Sequence, residues 1–230
     1  MQIVKDKIDE KLLEKYEFYD YNHAIDILLG SCLEYWKEIQ ESLSNFEILI
    51  DDLKSAGGNK SSIPKKIDNE LLPKNWEETR ITGNLEVTMK ARTKKTGKYR
   101  EKRPILLENY IEGHNIDFVK GEVAFDVEWN SKDQTFDRDL MAMRIYHECN
   151  IISVGIILTR SEELDDIFNR VSYTNTNNKN EKLINKYGQS TTHMRKLLTR
   201  LDGRRNGGCP ILAIGIKKNC VVDWNEKYIE

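Results

Sequence analysis

A chain of 230 residues fits one large domain or at most two small ones. Its 36 Lys and Arg against 38 Asp and Glu leave a net charge of −2, which excludes a histone-like, purely electrostatic nucleic-acid binder. Charged residues at 32% imply a heavily solvated surface, and no stretch approaches the roughly 20 apolar residues of a membrane span.

The N-terminus, MQIVKDKIDEKLLEKY, is charged throughout and is no signal peptide, so a cytoplasmic protein is expected. Cys32, Cys149, Cys209 and Cys220 show neither Cys-x-x-Cys nor zinc-ligand spacing and read as reduced thiols. There is no internal repeat and no Pro- or Ser-rich linker, so residues 1–230 read as one domain.

The start reads helical. Asn22 caps a short helix through Leu28 with Gly30 as its stop, and Ser31 opens a second carrying Leu33, Trp36, Ile39 and Leu43. Residues 55–62 are a loop. Residues 64–79 suggest a helix with Ile67, Leu71 and Leu72 on one face and Pro73 bending or ending its first half. Residues 84–92 alternate like a half-buried strand. From Lys90 to Arg103 eight basic residues meet one acid, Glu101; this is either a solvated hairpin tip or a mobile arm gripping phosphates, with Lys94, Lys95 and Lys98 at its tip.

Residues 109–130 read as two strands joined by a tight turn at Lys120-Gly121. A helix is expected over 135–149, a doubly covered strand over 151–158, a short helix over 161–170 and a polar loop over 172–180. Thr191 or Thr192 caps a helix with Met194, Leu197, Leu198 and Leu201 in register, stopped by Gly203. A buried strand over 211–216 ends the pattern. The order gives an α/β fold, a single central mixed sheet flanked by helices. His193 reads equally as a surface histidine or a DNA ligand, and the four tryptophans as core.

The sharpest local feature is Asp117, then Asp126-Val127-Glu128. In a strand over 123–129, Asp126 and Glu128 share one face about 7 Å apart. The turn folds the preceding strand back and can bring Asp117 beside them. Three carboxylates with no base in that strand segment raise one another's pKa unless a cation binds them. Oxygen-only ligands suit Mg²⁺, with Mn²⁺ as substitute, and a metal so held activates water and polarises a phosphodiester. An exposed strand face carrying ordinary acids has the same spacing.

The company of these residues decides between the two. Two strands with an acid near the turn and an acid-x-charged triplet, then a helix and a buried strand, are similar to the PD-(D/E)xK nuclease core. Tyr21-Asn22-His23-Ala24, Trp36-Lys37-Glu38-Ile39, Glu70-Leu71, Pro73-Lys74, Trp76, Asp117-Phe118-Val119-Lys120, Val123-Ala124, Asp126-Val127 and Pro210-Ile211-Leu212 follow in order. This ordered set resembles the BglII/BstYI type II restriction endonucleases, with BamHI more distant.

The resemblance implies a restriction-endonuclease-like fold and a homodimer cutting double-stranded DNA at a short, GATC-centred palindrome with Mg²⁺ to leave 5′-phosphates. It implies a prokaryotic enzyme. Asp117 matches the first metal-binding acid and Asp126 the second, one methylene shorter than the usual Glu. Glu128 matches a position that is Lys, Gln or Glu across relatives. A fourth, helix-borne polar residue is implied just after Trp76; Glu77, Glu78 and Thr79 qualify, and Glu78 is favoured. For DNA contact the places to look are Asn130, Ser131 and Lys132 after the catalytic strand, and Ser190, Thr191 and Thr192 at the last helix, where these residues read equally as a cap. Arg195, Lys196, Arg200, Arg204 and Arg205 would supply local positive charge. A non-catalytic DNA-binding module and a structure-selective repair nuclease are rival readings on the same fold.

Overall fold

Two runs set the centre of the molecule. VGIILTR and ILAIGI bury every residue, and such runs form strands covered on both faces. The computed structural model describes residues 2–3, 6–55, 61–175, 177, 179–188 and 190–225. In chain order its strands are β1 (Gln2–Ile3), β2 (Tyr16–Tyr21), β3 (Glu77–Thr79), β4 (Thr82–Val87), β5 (Lys90–Arg92), β6 (Tyr99–Glu101), β7 (Ile105–Glu112), β8 (Ile116–Lys120), β9 (Val123–Glu128), β10 (Val154–Arg160), β11 (Ser172–Thr174), β12 (Asn180–Lys182) and β13 (Ile211–Ile216). The helices are α1 (Glu10–Lys15), α2 (Ala24–Gly30), α3 (Leu33–Asn45), α4 (Ile50–Lys54), α5 (Ser62–Leu71), α6 (Thr135–Glu148), α7 (Asp165–Arg170), α8 (Leu183–Lys186) and α9 (Met194–Asp202).

The chain divides into two compact units, residues 80–115 and the remainder. The larger unit is an α/β core on one mixed sheet in the order β1-β2-β13-β10-β9-β8-β3, six strands extended at one edge by the two-residue β1. β9, β10 and β13 run parallel; β2, β8 and β3 are antiparallel to their neighbours. One face packs on α2, α3 and α5, where Ile25, Leu28, Trp36, Ile39 and Ile67 are fully buried beside Val123, Phe125 and Ile156. The other face carries α6 and α9, whose Leu140, Met143 and Leu197 are equally buried. Each such side chain is worth roughly 1.5–3 kcal/mol when fully buried, so both faces of the sheet are firmly covered.

The smaller unit is a pair of two-stranded sheets. β4 pairs with β7, setting Leu85 opposite Leu107 and Val87 opposite Ile105, and β5 pairs with β6 into a hairpin whose turn uses Gly97 at φ +68°. The basic run is therefore a hairpin tip, and the strand expected over 84–92 is two strands, β4 and β5.

Several local expectations change. Asn22 does not cap α2: its amide reaches the Gly208 carbonyl (3.0 Å), while the buried Asp20 carboxylate accepts the Ile25 N–H (3.1 Å). α3 begins after Cys32 with no side-chain cap in place of Ser31. The helix expected over 64–79 stops at Leu71, gives one 3₁₀ turn containing Pro73 and ends at Asn75 in the left-handed region. Residues 77–79 are edge strand β3 instead. β2, expected as helical sequence, is a core strand beside β13, and the polar loop over 172–180 contains β11, which pairs with β12. The strand expected over 109–119 breaks between β7 and β8, where the chain leaves the smaller unit. Of the loop over 55–62, residues 56–60 lie outside the described residues. Trp36, Trp76 and Trp129 are core; Trp224 is only partly buried.

Candidate active site

The β8–β9 hairpin positions the acids. Gly121 closes its turn at φ +54° against the Tyr35 ring, where a Cβ would come within 2.4 Å. The turn end is also tied down by Lys120, which bonds Glu38 on α3 (2.7 Å); Glu38 in turn accepts the Trp76 indole N–H (2.8 Å). The ladder pairs Lys120 with Val123, Val119 with Ala124 and Phe118 with Phe125. One step further the side chains take over. The Asp117 N–H donates to Asp126 Oδ1 (3.2 Å), and the Val127 N–H donates to Asp117 Oδ2 (3.1 Å). Asp117 and Asp126 are thereby interlocked across the two strands, on the face covered by α6.

Glu128 completes the group. Its carboxylate accepts from the Thr135 hydroxyl (3.3 Å) and from Ser131, and the Arg138 charge reaches it from α6. The strand segment lacks a base, and the helix supplies one. The Thr159 hydroxyl on neighbouring β10 fixes the Glu128 carbonyl (2.7 Å). A fourth acid, Asp139, lies one turn after Thr135, 2% exposed, and bonds Glu128.

Burial raises the pKa of every member. Asp117 is raised by loss of solvent and by the charges of Asp68 and Glu78. Asp126 lies well above the carboxylate range through burial and the surrounding Asp139, Asp117 and Glu128. Glu128 is raised by burial against the opposing bonds from Ser131 and Thr135. Asp139 is pushed up to about 9 by burial and the Glu128 charge. Like-charged groups so confined need either protons or a cation.

The donor chemistry fits a hard divalent cation. Asp126 Oδ2 and Asp139 Oδ2 are buried without a hydrogen-bond partner, and all donors are carboxylate oxygens. Among the described residues no group of three His, Cys, Asp or Glu side chains is arranged to hold a metal ion.

The comparison with known families decides the class. The family model described as Restriction endonuclease BglII/BglIII matches residues 16–216. The chain belongs to the BglII restriction endonuclease family. It is therefore a DNA-cleaving hydrolase, on the fold this family has and of a bacterial restriction type. No curated protein matches the sequence. Among the described residues no helix is long and apolar enough to cross a membrane.

In this restriction endonuclease the remaining candidates divide. Glu78 sits on edge strand β3, not on a helix; the acid that reaches Asp117 from a helix is Asp68 on α5. Ser131, Lys132 and Asp133 meet Ser190, Thr191 and Thr192 directly, and Asn130 precedes them just past the end of β9. Lys132 bridges Thr191, the Thr192 N–H donates to the Ser131 carbonyl (2.9 Å), and the Asp133 N–H donates to the Ser190 carbonyl (3.0 Å). Neither threonine caps α9: Thr191 Oγ1 bonds the Gly188 carbonyl, and Thr192 Oγ1 is buried without a partner. Lys94, Lys95 and Lys98 lie in the smaller unit and, among the described residues, make no ion pair.

The positive charge expected at α9 is largely neutralised. Arg195 pairs with Glu162, Lys196 with Asp133, Arg200 with Asp133 and Asp137, and Arg205 with Asp137. His193 is neither surface nor charged: it is buried at the start of α9, and burial pushes its pKa down to about 4.

Sequence reasoning missed Asp68, Thr135, Asp139 and Arg160. Asp139 had a signal, because it falls within the apolar stripe of α6 formed by Phe136, Leu140 and Met143. Arg160 had one too, as a charge ending a wholly apolar strand.

Proposed function

We propose that this restriction endonuclease works as a cytoplasmic homodimer that hydrolyses both strands of a short, GATC-centred palindrome and leaves 5′-phosphates. Two-fold protein symmetry suits a palindromic site and sets one carboxylate cluster on each strand. The observation that carries the reading is the Asp117–Asp126 interlock, with Asp126 Oδ2 left buried and unbonded.

Asp117 and Asp126 would hold Mg²⁺, or Mn²⁺ in its place. When bound, such an ion polarises the scissile phosphodiester and lowers the pKa of water. Glu128 orients or deprotonates the attacking water, its carboxylate steadied by Ser131 and Thr135. Glu78 and Asp68 contribute negative charge beside Asp117. Asn130, Ser131, Lys132, Ser190 and Thr191 contact the duplex, since Lys132 bridges Thr191 and holds the two strips side by side, whereas Thr192, expected among them, is fully buried and supports them through its N–H bond to the Ser131 carbonyl. Lys94, Lys95 and Lys98 bind phosphates as point charges. Residues 80–115 hold nine Lys and Arg against four Asp and Glu, so this unit is basic within an acidic chain.

Digestion of a sequenced genome with Mg²⁺, followed by sequencing of the fragment ends, tests this. Ends at one palindrome with 5′-phosphates are expected. Ends at junctions, nicks or termini without a common sequence would favour a structure-selective nuclease and overturn the proposal.

A further inference from the structure

Arg160 ends the central strand β10, and its side chain is almost wholly enclosed at 2% exposure. A buried guanidinium is expensive unless a carboxylate pairs with it. Among the described residues none bonds it; Asp165 acts only through its charge. All three of its bonds go to one short segment instead. Nε donates to the Thr192 carbonyl (2.7 Å), Nη1 to the Tyr187 carbonyl (3.0 Å) and Nη2 to Thr191 Oγ1. Its plane also lies over the Tyr187 and Phe168 rings, at 5.4 and 5.6 Å from their centroids. An apolar residue would fill this space at lower cost, so the charge must serve the segment it holds.

That segment leads to the catalytic carboxylate. The Thr192 N–H donates to the Ser131 carbonyl, and the Ser131 hydroxyl bonds the Glu128 carboxylate. The circuit closes through β10 itself. Thr159, next to Arg160, pairs with Glu128 in the parallel ladder and bonds its carbonyl. Displacement of residues 190–192 is therefore passed to Glu128 through two hydrogen bonds. Arg160 fixes their resting position.

We propose that Arg160 is a positioning residue that locks Tyr187, Thr191 and Thr192 against the Ser131 loop, so that the fit of the duplex on Ser190 and Thr191 governs the placement of Glu128. This makes Arg160 a determinant of how strictly the enzyme distinguishes its site from near matches. It rests on the reading that Ser190 and Thr191 contact DNA.

The test compares the wild type with Arg160→Lys, which keeps the charge and loses the planar fork, and with Ser131→Ala, which breaks the other end of the same circuit at a half-exposed position. Single-turnover cleavage is measured on the cognate duplex and on duplexes changed at one base pair. Both variants are expected to lose about 10–100-fold in kcat on the cognate site, with KM changed far less. The ratio of cognate to near-cognate kcat/KM should fall about 10-fold or more. A merely structural role lowers the active fraction equally on all duplexes and leaves that ratio unchanged; this result would overturn the proposal. Should Arg160→Lys not fold, Ser131→Ala decides. Amide hydrogen exchange without DNA reads the lock separately: the Thr192 and Asp133 amides should lose protection in Arg160→Lys, and unchanged protection also overturns it. If the wild type cuts no palindrome, the functional reading fails, while the exchange result still judges the lock.

Discussion

Asp139 should make the metal-free protein less stable in alkali, and replacing it by Asn should remove that weakness. The carboxyl is enclosed by α6 and faces Glu128, and burial followed by that charge raises its pKa to about 9. In the unfolded chain it titrates near 3.9. A group raised on folding contributes its full stability below the unfolded pKa and loses it as pH rises through the folded one. Folding at pH 8 must therefore keep a proton the unfolded chain would release. At about 1.4 kcal/mol per unit this sets a ceiling of ~6 kcal/mol, falling to ~1–2 kcal/mol at pH 5. Local relaxation and proton sharing with Glu128 reduce the measurable part below that ceiling. Urea unfolding in EDTA reads it. Asp139→Asn should be more stable than wild type at pH 8, with the advantage mostly gone at pH 5. Equal differences at both pH values, or a less stable Asn variant at pH 8, would refute the account of the cluster.

Asp117→Asn should abolish cleavage and retain specific DNA binding, measured by gel shift beside a cleavage assay. Asp117 is the acid interlocked with Asp126, and an amide is a poor ligand for a hard cation; wild-type turnover by the mutant would sink its role. Lys94, Lys95 and Lys98 changed together to Gln should weaken binding about equally on cognate and random duplex. The slope of log K against log salt should flatten by up to ~0.9 per lost phosphate contact. A changed cleavage sequence with an unchanged slope would make the hairpin a reader of bases. The α6 surface carrying Met141, which is 51% exposed, and Arg144 should form the dimer contact. Sedimentation at micromolar concentration should show a dimer that Met141→Glu dissociates; a wild-type monomer with and without DNA counts against it.

The sheet centre was legible because its physics is local. The runs at β10 and β13 are apolar enough that only double coverage explains them, and the alternation in β9 places Asp126 and Glu128 on one face without any tertiary knowledge. β2 was not. YEFYDY alternates like a strand, but it follows a charged helical sequence directly, and its pairing partner β13 lies nearly two hundred residues away. The helix expected over 64–79 failed at its second half for a backbone reason. Pro73 and the left-handed Asn75 end the turn, and the residues after Trp76 then pair with β8 as an edge strand. That one misreading also put Glu78 on a helix. The acid reaching Asp117 from a helix is Asp68, one turn before the end of α5, whereas Glu78 reaches it from β3.

The rest of the site depends on which side chains long-range packing brings to the β8–β9 strand ends. Sequence spacing could pair Asp117 with Asp126 because a tight turn joins their strands. It could not show that the two strips proposed for DNA contact, sixty residues apart, are held together, since that stitching uses backbone groups and a guanidinium from a third element. Nor could it separate residues that supply charge from those that cancel it. The arginines and lysine of α9 read as a positive patch in the sequence, yet Glu162, Asp133 and Asp137 meet most of them. The pairs of Arg195, Lys196 and Arg205 are exposed and weak, so a phosphate can displace the acid at little cost, whereas Arg200 is 12% exposed and held between Asp133 and Asp137. Lys94, Lys95 and Lys98 of the hairpin make no ion pair among the described residues and need no such exchange, so on the proposed reading that hairpin is the stronger source of non-specific attraction to DNA. On the proposed reading sequence discrimination then falls to the strips beside Glu128, where Ser131 accepts the Thr192 N–H and also bonds the Glu128 carboxylate.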